Sequence, residues 1–181
     1  MRVLLDACVL YPTVMREMLI GVAKAGLYQP QWSARILEEW ARATVKIGPR
    51  AESIARGEIA VLRALWPNSE IPASKGLEAR LWLPDPNDVH VLAAAIAGSS
   101  DVIVTMNAQD FPQNILQEEG LIRRDPDGFL LDMLARDPDA VVKVGGEVQS
   151  QAQILSEQEQ PIRKLLKKAR LPRLGKALEN L

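Results

Sequence analysis

Pro84-Asp85-Pro86-Asn87-Asp88-Val89-His90-Val91-Leu92-Ala93-Ala94-Ala95-Ile96-Ala97-Gly98, followed by Asp101-Val102-Ile103-Val104-Thr105, is the stretch that decides the fold. Asp85 reads as a helix N-cap and Pro86 as the first helical position, and Val89 to Ala97 continues the helix to Gly98. Residues 101–105 read as a strand apolar through its middle, as parallel strands covered on both faces are. Toward the N-terminus, Arg2-Val3-Leu4-Leu5 reads as another short buried strand. Helices are expected between them: Pro12-Thr13 to about Ala25, closed by Gly26; Ser33 to about Ile47, ended by Gly48-Pro49; and Arg50 to Trp66, stopped by Pro67-Asn68. Asn68 to Leu83, with Pro72 and Gly76, has no decisive period. This order predicts an α/β fold, a parallel sheet covered by helices whose ligands gather at the carboxyl ends of strands. Asp6 follows the first strand directly, and Asn107 to Asp110 follow the later one.

Past Asp125-Pro126 the character changes. Residues 126–181 read as mostly helical, broken at Asp137-Pro138, Gly145-Gly146, Pro161 and Pro172. The expected organisation is an α/β domain over 1–125 and a helical C-terminal extension over 126–181. The 181 residues are 48% hydrophobic and 25% charged, which supplies a core readily. A net charge of −1 gives no global nucleic-acid signature, so any RNA binding must be local. The single cysteine, Cys8, excludes an intrachain disulfide framework and reads as an inert buried thiol. Asp6 interrupts the N-terminal apolar run before a signal peptide builds up, and there is no long apolar span, so a soluble cytoplasmic protein is expected.

The acids have ordinary readings one by one. Asp6 suits a turn or a cap. Glu38 points away from the Ile36–Trp40 apolar stripe, spaced to pair with Arg35 and Arg42, whereas Glu39 lies on the rim, where an acid can lean into a cleft. Asp85 caps a helix, Asp88 complements its dipole, and Asn107 and Asp110 suit a turn. Taken together they say more. Acids converging at strand ends repel one another unless a cation joins them, and a carboxylate set without His or Cys favours Mg²⁺ or Mn²⁺. Other chemistries lack their parts. Neither a Gly-x-Gly-x-x-Gly nor a P-loop pattern is present, and the only histidine, His90, sits inside a helix, which leaves nucleophile triads without a placed base.

The motifs Val3-Leu4-Leu5-Asp6-Ala7-Cys8-Val9-Leu10-Tyr11-Pro12, Ile36-Leu37-Glu38-Glu39-Trp40, Leu83–Ala95 and Val102–Pro112 resemble, in order and spacing, those of PIN domains over roughly residues 1–125. The resemblance implies a central parallel sheet of about five strands flanked by helices, with a divalent-metal ribonuclease site. Its acids would fall on Asp6, Glu39 and Asp88, with Asp110 as the fourth, holding one or two Mg²⁺ or Mn²⁺ ions. It further implies frequent dimerisation and, in bacteria, the toxin role of a VapC-type pair inhibited by a small antitoxin protein. Two positions depart from the pattern. Many members follow the first Asp with Thr or Ser, where Ala7 and Cys8 stand here, and many carry Asp where Asn107 stands. Thr105 and Asn107 are then expected to support the acids.

RNA needs positive charge beside an acidic pocket, and Arg16 and Arg42 are the expected phosphate grips. The tail adds Arg163, Lys164, Lys167, Lys168, Arg170, Arg173 and Lys176, opposed between Ile162 and Leu181 only by Glu179. It reads equally as an amphipathic helix on the protein's own body, an RNA clamp or an antitoxin-docking surface. The function expected is a metal-dependent endoribonuclease. The alternatives are a PIN module that binds RNA or a partner without cutting, and a housekeeping nuclease of RNA maturation.

Overall fold

The computed structural model describes residues 1–181. The chain runs β1 (Arg2–Leu5), α1 (Ala7–Leu10), α2 (Thr13–Lys24), β2 (Gln29–Ser33), α3 (Ala34–Ala43), α4 (Ala51–Leu65), β3 (Glu70–Ile71), α5 (Lys75–Arg80) and α6 (Val89–Ala97). It continues through β4 (Val102–Val104), α7 (Gln113–Glu118), β5 (Ile122–Arg124), α8 (Pro126–Arg136), α9 (Pro138–Ser156), α10 (Ile162–Lys168) and α11 (Pro172–Glu179). It packs as two compact units, Met1–Tyr11 with Gln29–Arg124, and Pro12–Tyr28 with Asp125–Leu181. The division therefore differs from the single boundary expected at 125, because α2 groups with the C-terminal helices.

In the first unit all five strands are parallel, in the order β3-β2-β1-β4-β5. Val3, Leu4, Leu5, Ile103 and Val104 are fully buried, as expected for strands covered on both faces. The chain winds outward from β1 through β2 to β3, then returns to lay β4 on the other side of β1. The switch point thus lies between β1 and β4, where a crevice opens beyond the strand ends. Register pairs Leu5 with Val104, and the Asp6 amide donates to the Val104 carbonyl at 3.2 Å. Asp6 and Thr105 are therefore the first residues beyond adjacent strands.

β2, Gln-Pro-Gln-Trp-Ser, was not expected as a strand; the helix predicted from Ser33 begins at Ala34 and gives way to a 3₁₀ turn over Thr44–Ile47. Its polar residues are satisfied at long range: buried Gln31 donates to the Gly98 carbonyl at 2.9 Å and accepts from Ser100 Oγ at 2.7 Å. Ser33 closes the strand and caps α3, its Oγ accepting from the Ile36 amide at 3.2 Å.

In the second unit α2 packs on α8 and α9. A Cβ on Gly21 would stand 2.5 Å from Val144 Cγ1, so glycine is what admits the close approach. Tyr28 and Phe129 meet edge to face with ring centroids 5.0 Å apart, and Tyr28 donates to the Leu19 carbonyl at 2.7 Å. Buried Asp127 accepts from the amides of Arg173 and Leu174 at 3.0 and 2.9 Å, closing the N-terminus of α11.

Candidate metal centre

At the switch point, buried Asp6 presents Oδ2 to two donors, Thr105 Oγ1 at 2.6 Å and Cys8 Sγ at 3.0 Å. Thr105 Oγ1 in turn accepts from the Asn107 amide at 3.0 Å, which ties the loop after β4 to the end of β1. Cys8 is half-buried and donates to Asp6, in the supporting place that a hydroxyl would occupy. Burial, then the neighbouring Asp6 charge, push its thiol up to about 12.

Asp85, Asp88 and Asp110, all half-exposed, each bring a carboxylate oxygen within 4.8 Å of the others'. Asp85 and Asp88 straddle the turn that starts α6. Asp85 Oδ1 does cap that turn, accepting from the Asn87 amide at 2.8 Å, yet its carboxylate also joins the cluster. A cap reading from sequence was correct and incomplete. Asp110 comes from the loop after β4, which Arg123 of β5 pins by donating to the carbonyls of Ala108 and Phe111. Nothing in the sequence marked Arg123, because its partners are backbone atoms. Asn107 Nδ2 donates to Asp88 Oδ2 at 3.0 Å and to Asp110 Oδ2 at 2.6 Å, so its amide bridges the acids through nitrogen rather than offering them an oxygen. Even so, Asp88 is pushed up to about 6, first by burial, then by the charges of Asp6, Asp85 and Asp110, with His90 opposing.

Glu39 stands outside that trio. Its Oε1 receives Arg35 Nε at 3.1 Å and lies 3.0 Å from His90 Nε2, which is close enough for an ion pair but out of hydrogen-bond alignment. Burial raises the Glu39 carboxyl, but His90 and Arg35 outweigh it and hold it below its ordinary value. Arg35 thus serves Glu39 and not Glu38 as the spacing had suggested. Arg42 pairs with Glu38 at 2.7 Å, as its spacing suggested, and Arg56 joins the same carboxylate at 2.9 Å. Arg16 belongs to the second unit with its side chain only 5% exposed, so it offers no open surface grip.

The PIN domain family matches residues 2–109, more than half of the chain. Over 47 residues the chain is 47% identical to "Putative ribonuclease VapC50" of Mycobacterium tuberculosis (strain ATCC 25618 / H37Rv), covering 26% of this chain and 28% of that protein. The chain thus aligns with little more than a quarter of the curated relative's length, and no solved structure matches it. With the parallel sheet, the switch-point acids and the family match in agreement, the chain belongs to the PIN domain family.

Proposed function

We propose that this protein is a metal-dependent endoribonuclease and the toxin of a toxin–antitoxin pair, blocked by a small antitoxin protein. The observation that carries the reading is the convergence of Asp85, Asp88 and Asp110 beside Asp6 at the sheet's switch point. The all-carboxylate donor set and the upward push on Asp88 fit a hard divalent cation, Mg²⁺ or Mn²⁺. Asp88 and Asp110 would hold one ion with Asp85, and Asp6 and Glu39 would complete the charge around it or a second ion. When bound, such an ion neutralises charge on the phosphodiester and makes water a competent nucleophile at neutral pH.

The chain's own residues do the positioning. Thr105 and Cys8 fix Asp6 Oδ2, and Asn107 spaces Asp88 from Asp110. Arg35 holds one oxygen of Glu39 and leaves the other without a side-chain donor. RNA as substrate is supported by the second unit: residues 162–176 contain seven basic and no acidic residues. Arg163 and Arg173 are paired with Glu179 and with Asp125 and Asp127, but Leu165, Leu166, Leu171 and Leu174 are buried, so the exposed face keeps its lysines and is cationic and not apolar, which suits a phosphate backbone better than a protein partner.

Cleavage of a mixed RNA by pure protein should require Mg²⁺ or Mn²⁺, stop with EDTA and vanish in Asp6→Asn and Asp88→Asn. Normal cleavage by these folded variants would sink the assignment. One observation favours a non-cutting binding module instead: Asn107 already bridges two acids as a neutral donor. Metal-dependent turnover separates the two readings.

A further inference from the structure

A cavity of about 330 Å³ opens in the first unit, between the N-terminal ends of α3 and α5, and Ser33, Arg35, Ser74, Glu78 and His90 bring polar groups to it. Its other walls include Ile71 and Ala94. The volume is at the small end of ligand cavities, which run from about 300 to 1,000 Å³. His90 is 5% exposed; its Nε2 faces Glu39 Oε1 at 3.0 Å, and its Nδ1 is buried with no partner at all. Native structures rarely leave such groups unpaired, and when they do a missing partner is the first explanation. The two serines are half-committed as well. Ser33 Oγ and Ser74 Oγ accept from the amides of Ile36 and Leu77 at 3.2 and 3.4 Å, which leaves both hydroxyl protons to donate.

The cavity adjoins the acids. His90 lies two residues past Asp88 and against Glu39, while Arg35 donates both to Glu39 and to the Asn87 carbonyl. Its charge argues against a phosphate, because Glu70 and Glu78 line it and Arg35 is already paired with Glu39. A neutral flat group with its own donors and acceptors fits better. Ser74 caps the N-terminus of α5 and Glu78 lies within that helix, and both line the cavity, a hydroxyl donor and a carboxylate acceptor. That pair complements a carbonyl next to a ring N–H, the edge that guanine and uracil present and that adenine and cytosine do not.

We propose that this cavity is a base subsite that takes one unpaired keto base, guanine or uracil, of the strand being cut, with Ser74 and Glu78 reading its edge and His90 Nδ1 gaining a partner. The inference rests on RNA being the substrate. Unpaired bases splayed from a single strand are the usual object of sequence reading in RNA.

His90 is the only histidine, so its ring carbon-bound proton gives one unambiguous NMR signal. Guanosine, uridine, adenosine, cytidine and inorganic phosphate would be titrated into the whole protein in EDTA. Guanosine and uridine are expected to move the His90 signal saturably at millimolar concentration, adenosine and cytidine at least tenfold more weakly, and phosphate not at all. Glu78→Gln, a substitution on a half-exposed site, should remove the preference while leaving the fold unchanged, and Ala94→Leu should fill the cavity and abolish the response. No response to any nucleoside, an equal response to phosphate, or an unchanged preference in Glu78→Gln would each overturn the proposal. Because the titration needs neither metal nor turnover, base binding without cleavage would leave the subsite standing and sink only the nuclease reading.

Discussion

Replacing Asp88 with Asn should make the metal-free protein more stable, and the size follows from the crowding of the acids. Asp88 sits at about 6 against an ordinary 3.8, raised by burial and by Asp6, Asp85 and Asp110. A gap of that size is worth at most about 3 kcal/mol, at 1.36 kcal/mol for each pKa unit. Asp88 is half-exposed, so solvent screening reduces this to about 1 kcal/mol. The folded-state value lies above the unfolded one. The stability it carries is therefore full below about pH 4 and is lost as pH rises through about 6. At pH 7.5 in EDTA, Asp88→Asn should then melt about 2–4 °C above the parent, the shift expected for about 1 kcal/mol in a chain of this length. The advantage should roughly halve by about pH 5. Mn²⁺ at about 100 times its Kd should stabilise the parent by about 2.7 kcal/mol and reverse the order, since the variant binds the ion poorly. Thermal melts of both proteins in EDTA and in Mn²⁺, from pH 4.5 to 8, decide it. A folded variant that melts at or below the parent in EDTA at pH 7.5, or that gains as much from Mn²⁺, would refute the reasoning.

Asn107→Asp should have the opposite signature: it removes the amide donor shared by Asp88 and Asp110 and adds a charge, so the melting temperature in EDTA falls while calorimetric affinity for Mn²⁺ rises. Cys8, with its thiol pushed up to about 12, should resist iodoacetamide at pH 8 in the folded state and react once unfolded in urea. Cys8→Ser should keep cleavage near the parental rate, whereas Cys8→Ala should lower kcat, because only serine retains a donor for Asp6. Changing Lys164, Lys167, Lys168 and Lys176 together to Gln should flatten the salt dependence of RNA binding in EDTA by about 3 in log–log slope, read by fluorescence anisotropy. An unchanged slope would place the phosphate contacts elsewhere.

The parts of this fold legible in the sequence are those where one local rule dominates. β1 and β4 are apolar runs, α6 carries its cap and proline, and the acids that follow the two strands lie where parallel sheets place ligands. β2 was hidden because its buried Gln31 is satisfied by Gly98 and Ser100, far along the chain, and because Pro30 weakens any strand reading. β3 and β5, two and three residues long, are edge strands whose pairing is fixed by the neighbouring strand and not by their own composition. The candidate site divides the same way. Asp6 and Asp110 stood beyond strand ends and Asp88 was singled out by the family resemblance, but Asp85 was hidden behind a correct capping role and Cys8 behind an apolar setting. Spacing along α3 did carry the pairing of Arg42 with Glu38, but not the choice of Glu39 by Arg35 or the arrival of Arg56 from α4 at Glu38.

The polypeptide passes between its two compact units three times, after Tyr11, Tyr28 and Arg124. Shortening the gene at residue 125 would therefore not yield a minimal PIN domain. It would delete α8 and α9, the helices that α2 packs on, and so uncover one side of a helix whose Met15, Met18, Leu19 and Val22 are fully buried in the whole chain. Such a fragment should be sticky and poorly soluble. A single protease cut near residue 125, by contrast, should leave the two pieces associated, because α2 stays on the N-terminal piece while the helices it packs on are on the other.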